Sequence, residues 1–146
     1  MDKQEFEQLL HHEIPITKAM GFSVIEFTGS RVRISAKLEP NLNHKATAFG
    51  GSINCLMTVC GWAMMFINIK GIDPDAHIVI QKSSINYLAP ITEDFIAECN
   101  LTDGESKAKF LDTYAKHKKA RLKLKVTCNN QDTLFAEYEG HYVAFK

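Results

Sequence analysis

The sequence has no excess of charge of either sign. Its 146 residues hold 17 lysine and arginine residues against 17 aspartate and glutamate residues, for a formal net charge of zero. Proteins that bind nucleic acid through its phosphates usually carry a surplus of basic side chains. The balance argues against a general nucleic-acid-binding protein and favours a small neutral or mixed-charge ligand.

Cysteine is scarce, and the four cysteines are not arranged as metal ligands. They are Cys55, Cys60, Cys99 and Cys128, and no two of them form a C-x-x-C pair. This spacing predicts neither a zinc site nor a disulfide framework. We therefore expect reduced, mostly buried thiols, no bound metal and no cofactor.

The chain also lacks internal repeats, low-complexity tracts and a linker rich in proline or glycine. Its length is that of one typical domain, so residues 1–146 are expected to form a single domain. The first residues, MDKQEFEQLLHHEIP, contain no basic segment followed by an apolar run and a cleavage site. We therefore expect a cytoplasmic protein without a secretory signal.

Charge is absent from residues 46–69, a stretch long enough to cross a bilayer. Its start is crowded with small and polar residues (Gly50, Gly51, Ser52 and Asn54), which leaves 53–67 as the apolar part. Apolar residues recur there at helical spacing and lie on all sides of the helix. The pattern predicts a buried core helix that the rest of the chain encloses, and no membrane span.

Segments with strand character surround this helix. Alternating or β-branched patterns predict strands at 23–27, 31–38, 77–88, 94–101, 120–128 and 134–145. In 77–88 the apolar HIVI gives way to polar residues 81–84, which predicts a change of face at a bulge. Phe110, Leu111 and Tyr114 predict a short amphipathic helix between strands. The fold class is α+β, an antiparallel sheet covered by one long helix.

This order of elements resembles the hot-dog fold, in which a curled antiparallel sheet wraps around one long central helix. Residues Asn43, Thr47, Phe49, Gly50 and Gly51 resemble the N-x-x-G-T-x-H-G-G motif of the phenylacetyl-CoA-type thioesterases. The dipeptide Gly61-Trp62 adds a resemblance of this chain to the thioesterase domain that follows a GNAT-type acetyltransferase domain in some bacteria. The resemblance implies an acyl-CoA or acyl-carrier-protein thioester as partner, and a homodimer or dimer of dimers with sites between subunits.

The match to the motif has three departures. The histidine of the family falls at Phe49, and the helix position that usually carries the catalytic acid is Thr58. The glycine before the threonine is Ala46, which changes the freedom of the loop. The general base of the usual mechanism is therefore not identified.

Three residues are predicted to be catalytic. The backbone N–H of Gly51, at the positive end of the long helix, polarises the carbonyl group of the thioester. Asn43 orients a water or the thioester, and Thr58 contributes a hydroxyl. In the alternative interpretation Asn43 caps a loop, Thr58 bonds back to the carbonyl of Asn54 and Phe49 is core. The predicted substrate-binding residues are Phe49, Gly50, Ser52, Ser83 and Ser84.

The run KHKKARLKLK, residues 116–125, holds six lysine and arginine residues. One interpretation is the solvated face of a strand whose other face carries Leu122 and Leu124. In the other, Lys118, Lys119 and Arg121 bind the phosphates of coenzyme A.

Three functions are compatible with these patterns. The leading hypothesis is a hot-dog hydrolase of acyl thioesters. The alternative is a non-catalytic module that binds acyl-CoA or lipid, suggested by Phe49 and Thr58 at the positions of the family histidine and acid. A hydroxyacyl dehydratase ranks last because the FGGS region supplies neither a histidine nor an acid.

Overall fold

A computed structural model describes residues 1–146 as an antiparallel sheet curled around one long helix. In chain order the elements are α1 (Lys3–Glu13), α2 (Ile16–Ala19), β1 (Ser23–Phe27), β2 (Arg31–Ala36), a 3-10 turn (Glu39–Asn41), α3 (Gly50–Ile69), β3 (His77–Tyr87), β4 (Phe95–Asn100), α4 (Gly104–His117), β5 (Lys119–Asn129) and β6 (Leu134–Phe145). Every strand predicted from the sequence is present. The short α2 and the 3-10 turn are additions that the sequence patterns did not indicate.

The strands form one six-stranded sheet in the order β1-β2-β4-β5-β6-β3, so β1 and β3 are its edges. Helix α1 covers the β1 edge, where the Glu7 carboxylate accepts the backbone N–H of Val24 at 2.7 Å. The Lys3 ammonium also reaches the carbonyl of Ile25, at 3.4 Å. Strand β3 pairs only with β6, so its other side is an open edge. Open edges invite pairing with another strand.

Helix α3 is the centre of the core. It has the length and composition of a membrane-spanning helix, but 67% of its most apolar window is buried inside the fold. Helix α1 packs against it through an aromatic cluster, in which Phe6 lies 4.0 Å from Phe27 between ring centroids and also contacts Trp62 and Phe66. The predicted buried core helix is confirmed.

Two glycines let α3 approach the sheet closely. A Cβ at Gly61 would overlap the Tyr142 side chain, and a Cβ at Gly140 would overlap both Tyr142 and Tyr138. The Tyr142 hydroxyl donates to the backbone carbonyl of Thr58 at 2.7 Å and lies 3.0 Å from the Tyr138 hydroxyl. These buried hydroxyls are hydrogen-bonded, and they fix the middle of α3 over β6.

The predicted change of face in β3 is confirmed. The register with β6 shifts between Ile80 and Lys82. Before the shift, Ile80 lies opposite Tyr142, which faces α3; after it, Ser83 lies opposite Gly140 on the same face. The bulge therefore moves the inward positions of β3 from even to odd residue numbers.

Helix α4 closes the end of the sheet where α3 ends. The predicted amphipathic helix is confirmed: Phe110 and Tyr114 are buried and Leu111 is half-buried. The Tyr114 hydroxyl donates to the Asp73 carboxylate at 2.5 Å, and the Lys107 ammonium donates to the carbonyl of Gly29 at 3.2 Å. These contacts leave the opposite end of the sheet, at the start of α3, free for a ligand.

Candidate active site

The loop that leads into α3 is closed by Asn43. Its Oδ1 accepts the backbone N–H groups of Lys45 at 2.9 Å and Thr47 at 3.1 Å, and its Nδ2 donates to the Thr47 hydroxyl at 2.8 Å. The N–H of Phe49 then donates to the carbonyl of Asn41 at 2.8 Å. The structure thus places Asn43 as the cap of the loop that positions the start of α3. Its direct action on a substrate stays a prediction.

The first turn of α3 leaves two backbone donors free. The N–H groups of Ser52 and Ile53 both donate to the carbonyl of Phe49, at 3.0 and 3.1 Å. The N–H groups of Gly50 and Gly51 donate to no group of the chain, and Gly51 is exposed. Free donors at the positive end of a helix form a site for a carbonyl oxygen or an anion.

Two exposed aromatic side chains flank these donors. Phe49 is 56% exposed, and its ring lies against Gly51, where a Cβ would meet the Cε2 atom at 2.5 Å. The interpretation of Phe49 as a core residue is therefore wrong. On the other side Tyr87 is 51% exposed, and its hydroxyl donates to the carbonyl of Gly50 at 3.0 Å. Sequence reasoning missed Tyr87, because only the fold brings the end of β3 to the start of α3.

An apolar depression adjoins Gly50. Its volume is about 360 Å³, and it is lined by residues 87–91 together with Ala48, Gly50 and Ile53. Six of these eight residues are hydrophobic. A depression of this kind suits the apolar part of a ligand whose polar group lies at the helix N-terminus.

Thr58 lies on the same side of α3 as Gly51, two turns further along. Seven residues of helix correspond to about 10 Å along the axis, so Thr58 does not contact a carbonyl held at Gly51 of the same chain. Its hydroxyl donates to the side-chain Oδ1 of Asn54, at 3.5 Å, rather than to the Asn54 backbone carbonyl. Asn54 is half-buried and lies one turn from Gly51. Sequence reasoning did not select it.

The three serines have different positions. Ser52 is buried in the first turn of α3. Ser83 lies on the face of the sheet that carries α3, since it is opposite Gly140. Ser84 faces the other side and lines a separate depression of about 300 Å³ with Lys125 and Glu137. Of the predicted substrate-binding residues, the structure brings Phe49 and Gly50 together at Gly51 and places Ser84 away from it.

The three basic residues predicted to bind phosphate do come together. Lys118, Lys119 and Arg121 line one groove of about 650 Å³ on the face of the sheet opposite α3. Strand β5 alternates between exposed and buried residues, as expected for the solvated face of a strand. The binding of phosphate by the three basic residues stays a prediction.

The thiols are not poised for nucleophilic attack. Burial raises the pKa of Cys99 and of Cys128 to about 12 and raises the pKa of Cys55 and Cys60. Because the thiolate is the reactive form, these side chains stay protonated and inert near neutral pH. No group of three histidine, cysteine, aspartate or glutamate residues is placed to hold a metal ion.

Known proteins resemble this chain over nearly its whole length. A family model described as "Putative thioesterase (yiiD_Cterm)" matches residues 3–146. The crystal structure of a putative thioesterase from Shewanella oneidensis is 30% identical, with a TM-score of 0.87 over 99% of this chain and 97% of that chain. A protein of unknown function from Chlorobaculum tepidum is 26% identical, with a TM-score of 0.91 over 99% and 94%.

A more distant likeness agrees in fold. A thioesterase from Haemophilus influenzae is 10% identical, with a TM-score of 0.77 over 100% of this chain and 92% of that chain. At this identity the likeness shows the fold alone. The predicted hot-dog fold and the resemblance to thioesterases are thereby confirmed, while the link to an acetyltransferase domain stays a prediction.

Proposed function

Because the chain belongs to the family described as putative thioesterase (yiiD_Cterm), we propose that it hydrolyses acyl thioesters of coenzyme A or of a carrier protein at the start of α3. The observation that carries the proposal is the pair of free N–H groups at Gly50 and Gly51 beside an apolar depression. The depression receives the apolar acyl or pantetheine part, and the donors receive the carbonyl oxygen.

The backbone donors supply the main catalytic effect. As water attacks the thioester carbon, negative charge develops on the carbonyl oxygen, and fixed N–H groups stabilise that charge more than they stabilise the neutral carbonyl. The hydrogen bond from Tyr87 to the carbonyl of Gly50 holds this peptide in place. The donors are thus oriented before the substrate arrives.

The attacking water is oriented by neutral groups. A thiol has an ordinary pKa of about 8.5, so a thiolate leaves the tetrahedral intermediate without first receiving a proton. The proton lost by the attacking water passes to solvent, and the released thiolate takes up a proton from solvent after it leaves. The reaction therefore depends most on a polarised carbonyl and a positioned water, and less on a strong acid. The amide of Asn54, one turn from Gly51, is the polar side chain placed to orient this water. The Thr58 hydroxyl lies too far along α3 to reach the carbonyl and acts only through its hydrogen bond to Asn54 Oδ1. With no carboxylate in this role, turnover is expected to be slow.

We further propose that the protein is a homodimer joined through β3. The β1 edge is covered by α1, whereas the β3 edge is open and long. On the face of β3 that carries α3, Ile80 is 39% exposed and Tyr87 51% exposed. Antiparallel pairing of two β3 strands about a two-fold axis would satisfy the backbone groups and cover these side chains.

The dimer is tested by mass and by hydrogen exchange. Light scattering should give twice the 16.5 kDa of one chain, and the backbone amides of β3 that point away from β6 should exchange slowly and lose protection on dilution. A mass of one chain, with fast exchange along β3 at every concentration, would contradict the dimer. Four times the mass would indicate a dimer of dimers.

A non-catalytic module that binds acyl-CoA is the second candidate. It is favoured by Phe49, whose exposed ring lies against Gly51 at the motif position of the histidine, and by Thr58 at the position of the acid. In that case the same donors and depression would hold an acyl thioester without hydrolysing it.

A panel of acyl-CoA esters separates the two candidates. Thiol release and binding are measured together on short, long and aryl acyl groups, with Asn43→Ala as the variant that opens the loop before α3. Turnover on a subset of the panel, reduced in Asn43→Ala, is the expected result. Saturable binding without thiol release from any CoA ester or carrier-protein thioester would favour the binding module.

A further inference from the structure

The face of the sheet opposite α3 carries a groove that the proposed hydrolysis does not use. This cationic groove has a volume of about 650 Å³ and lies between the end of α4, the start of β5 and the first half of β3. Its basic residues are Lys118, Lys119, Arg121 and Lys146, with His117 beside them, and none of its ten lining residues is acidic. In a chain with zero net charge, this is a local concentration of positive charge.

The charges of the groove are not used in ion pairs within the fold. Lys118, Lys119 and Arg121 form no salt bridge, although eight other pairs are present in the structure. Lys146 is the exception, with its Nζ 3.9 Å from the Asp73 carboxylate. The Asp73 charge also acts on Lys118 without forming an ion pair with it, so Lys119 and Arg121 are the cations furthest from any such pairing. Unpaired cations that converge on one groove are suited to a ligand with more than one negative charge.

The floor of the groove is apolar and partly aromatic. Arg121 lies opposite Val143, which in turn lies opposite Val79, so the three side chains share one face. In the next row Lys119 lies opposite Phe145, whose ring centroid is 5.3 Å from that of His77. Val79 is 46% exposed. An apolar floor beside a row of cations fits a molecule that has both a planar ring and phosphates.

We propose that the cationic groove binds a phosphorylated adenine nucleotide, the 3′-phospho-ADP end of coenzyme A. The phosphates lie against Lys119 and Arg121, and the adenine ring lies on Val79 and Phe145. The assignment to coenzyme A rests on the proposed thioesterase function. It makes free acyl-CoA, rather than an acyl-carrier protein, the substrate class.

The groove lies far from Gly51 of the same chain. Eight residues of extended strand separate Val79 from Tyr87, a distance of about 27 Å. In a dimer paired antiparallel through β3, the first half of one β3 lies beside the second half of the other. The groove of one protomer then lies at the Tyr87 end of the partner's β3, on the other face of the sheet from the partner's Gly51. Coenzyme A bound in the groove would reach that site around the end of the strands.

Titration with adenosine 3′,5′-bisphosphate tests the groove without any catalysis. The double variant Lys119→Ala/Arg121→Ala should bind this nucleotide at least about tenfold more weakly than the unmodified protein, since each lost charged contact is worth about a factor of ten. The matched control is Lys123→Ala/Lys125→Ala, which removes two positive charges from the same face of β5 outside the groove. The control should bind within about twofold of the unmodified protein, because the lost charges are not contacts.

Three results would overturn the proposal. They are no binding by the unmodified protein, equal weakening in the two double variants, and displacement of the nucleotide by inorganic phosphate at the same concentration. The last two would indicate a general charge effect and a bare anion site, respectively. Because hydrolysis is not measured, each result leaves the thioesterase proposal standing.

Kinetics then connect the groove to the reaction. In the groove variant Lys119→Ala/Arg121→Ala, the KM for acyl-CoA should be about tenfold higher and kcat should be unchanged, because the nucleotide is remote from the reacting carbon. The unmodified enzyme should also show a KM at least about tenfold higher for acyl-phosphopantetheine, which lacks the nucleotide. Equal KM values for the two substrates would overturn the assignment to coenzyme A. Nucleotide binding with no hydrolysis of any thioester would instead overturn the thioesterase function and leave the groove.

Mixed dimers test whether the groove serves the partner's site. Gly51→Pro protomers are mixed with groove-variant protomers. In each mixed dimer, the groove-variant protomer keeps its Gly51 and the other protomer keeps its groove. If the groove acts across the interface, these two parts form one unmodified site. The low KM for acyl-CoA should therefore return on mixing. If only the raised KM is seen, the groove does not serve the partner's site.

Discussion

At the scale of single residues, the backbone of the loop before α3 is set by one unusual angle. Ala46 has φ of +61°, in the left-handed region that L-residues other than glycine, asparagine and aspartate rarely adopt. The thioesterase motif that the loop resembles has glycine at this position. The loop of this chain holds the conformation because the Asn43 side chain bonds to Lys45 and Thr47 on either side of Ala46.

Replacing Ala46 by glycine should stabilise the protein. Glycine relieves the left-handed strain, which costs about 1–2 kcal/mol. Its greater freedom in the unfolded chain costs about 0.4–1 kcal/mol. The net effect should raise the free energy of unfolding by about 0.5–1 kcal/mol. Denaturant unfolding of Ala46→Gly measures this difference. Ala46 is exposed, so lost packing does not confuse the result. A decrease in the free energy of unfolding would contradict the account of the loop.

Gly61 should tolerate no side chain. Ala at this position would push Tyr142 away from the Thr58 carbonyl, and we expect a loss of about 1–3 kcal/mol in the free energy of unfolding. Gly71→Ala is the control, because a Cβ there meets nothing within 4 Å. If both variants unfold at the same denaturant concentration, the close approach of α3 to β6 is not as described.

At the scale of elements, α4 is held to the rest of the fold by the contact between Tyr114 and Asp73. The Tyr114 hydrogen bond holds the pKa of Asp73 below its ordinary value of 3.8; the Asp75 N–H and Lys146 act in the same direction, and burial opposes them. Burial and the Asp73 carboxylate raise the pKa of Tyr114 to about 12. The ionised Asp73 therefore stabilises the folded state above its unfolded pKa, and this contribution is lost as pH falls through the folded pKa.

Tyr114→Phe should lower stability in a pH-dependent way. The difference from the unmodified protein should be complete near pH 6. It should shrink as pH falls below 3.8, the ordinary pKa of the Asp73 carboxyl, and disappear as pH passes through the lower pKa of the folded state. Urea unfolding across this range measures it, with Asp73→Asn as the background in which the pH dependence disappears. A difference that stays constant down to about pH 2 would show that the hydroxyl acts without the Asp73 charge.

The six strands, α3 and α4 were predictable, because each is encoded by a local period, whereas the short α2 and the 3-10 turn were not. Alternation in Arg31–Ala36 and Lys119–Asn129, and the uncharged run before Ile69, identify strands and a core helix without any tertiary information. The free N–H of Gly51 was also predictable, since it follows from the helix N-terminus. Tyr87 was not predictable, because it reaches the site through a contact with Gly50, 37 residues away in the chain. Asn54 was not predictable, because the sequence does not show which face of α3 is exposed.

At the scale of the whole molecule, the two faces of the sheet carry different features. One face carries α3 with its two free donors, and the other carries the cationic groove. The open edge of β3 lies between them. The central claim is that the N–H at Gly51 lowers the barrier to hydrolysis. Phe49 and Thr58 stand where the phenylacetyl-CoA-type motif that the loop resembles has a histidine and an acid.

The most direct measurement compares Gly51→Pro with Gly51→Ala. Both variants add a Cβ beside the Phe49 ring, but only proline removes the N–H, and the first turn of a helix tolerates proline. We predict that kcat for acyl-CoA falls about 10²–10³-fold in Gly51→Pro relative to Gly51→Ala, the cost of one lost oxyanion donor. Equal kcat values in two folded variants would contradict the account.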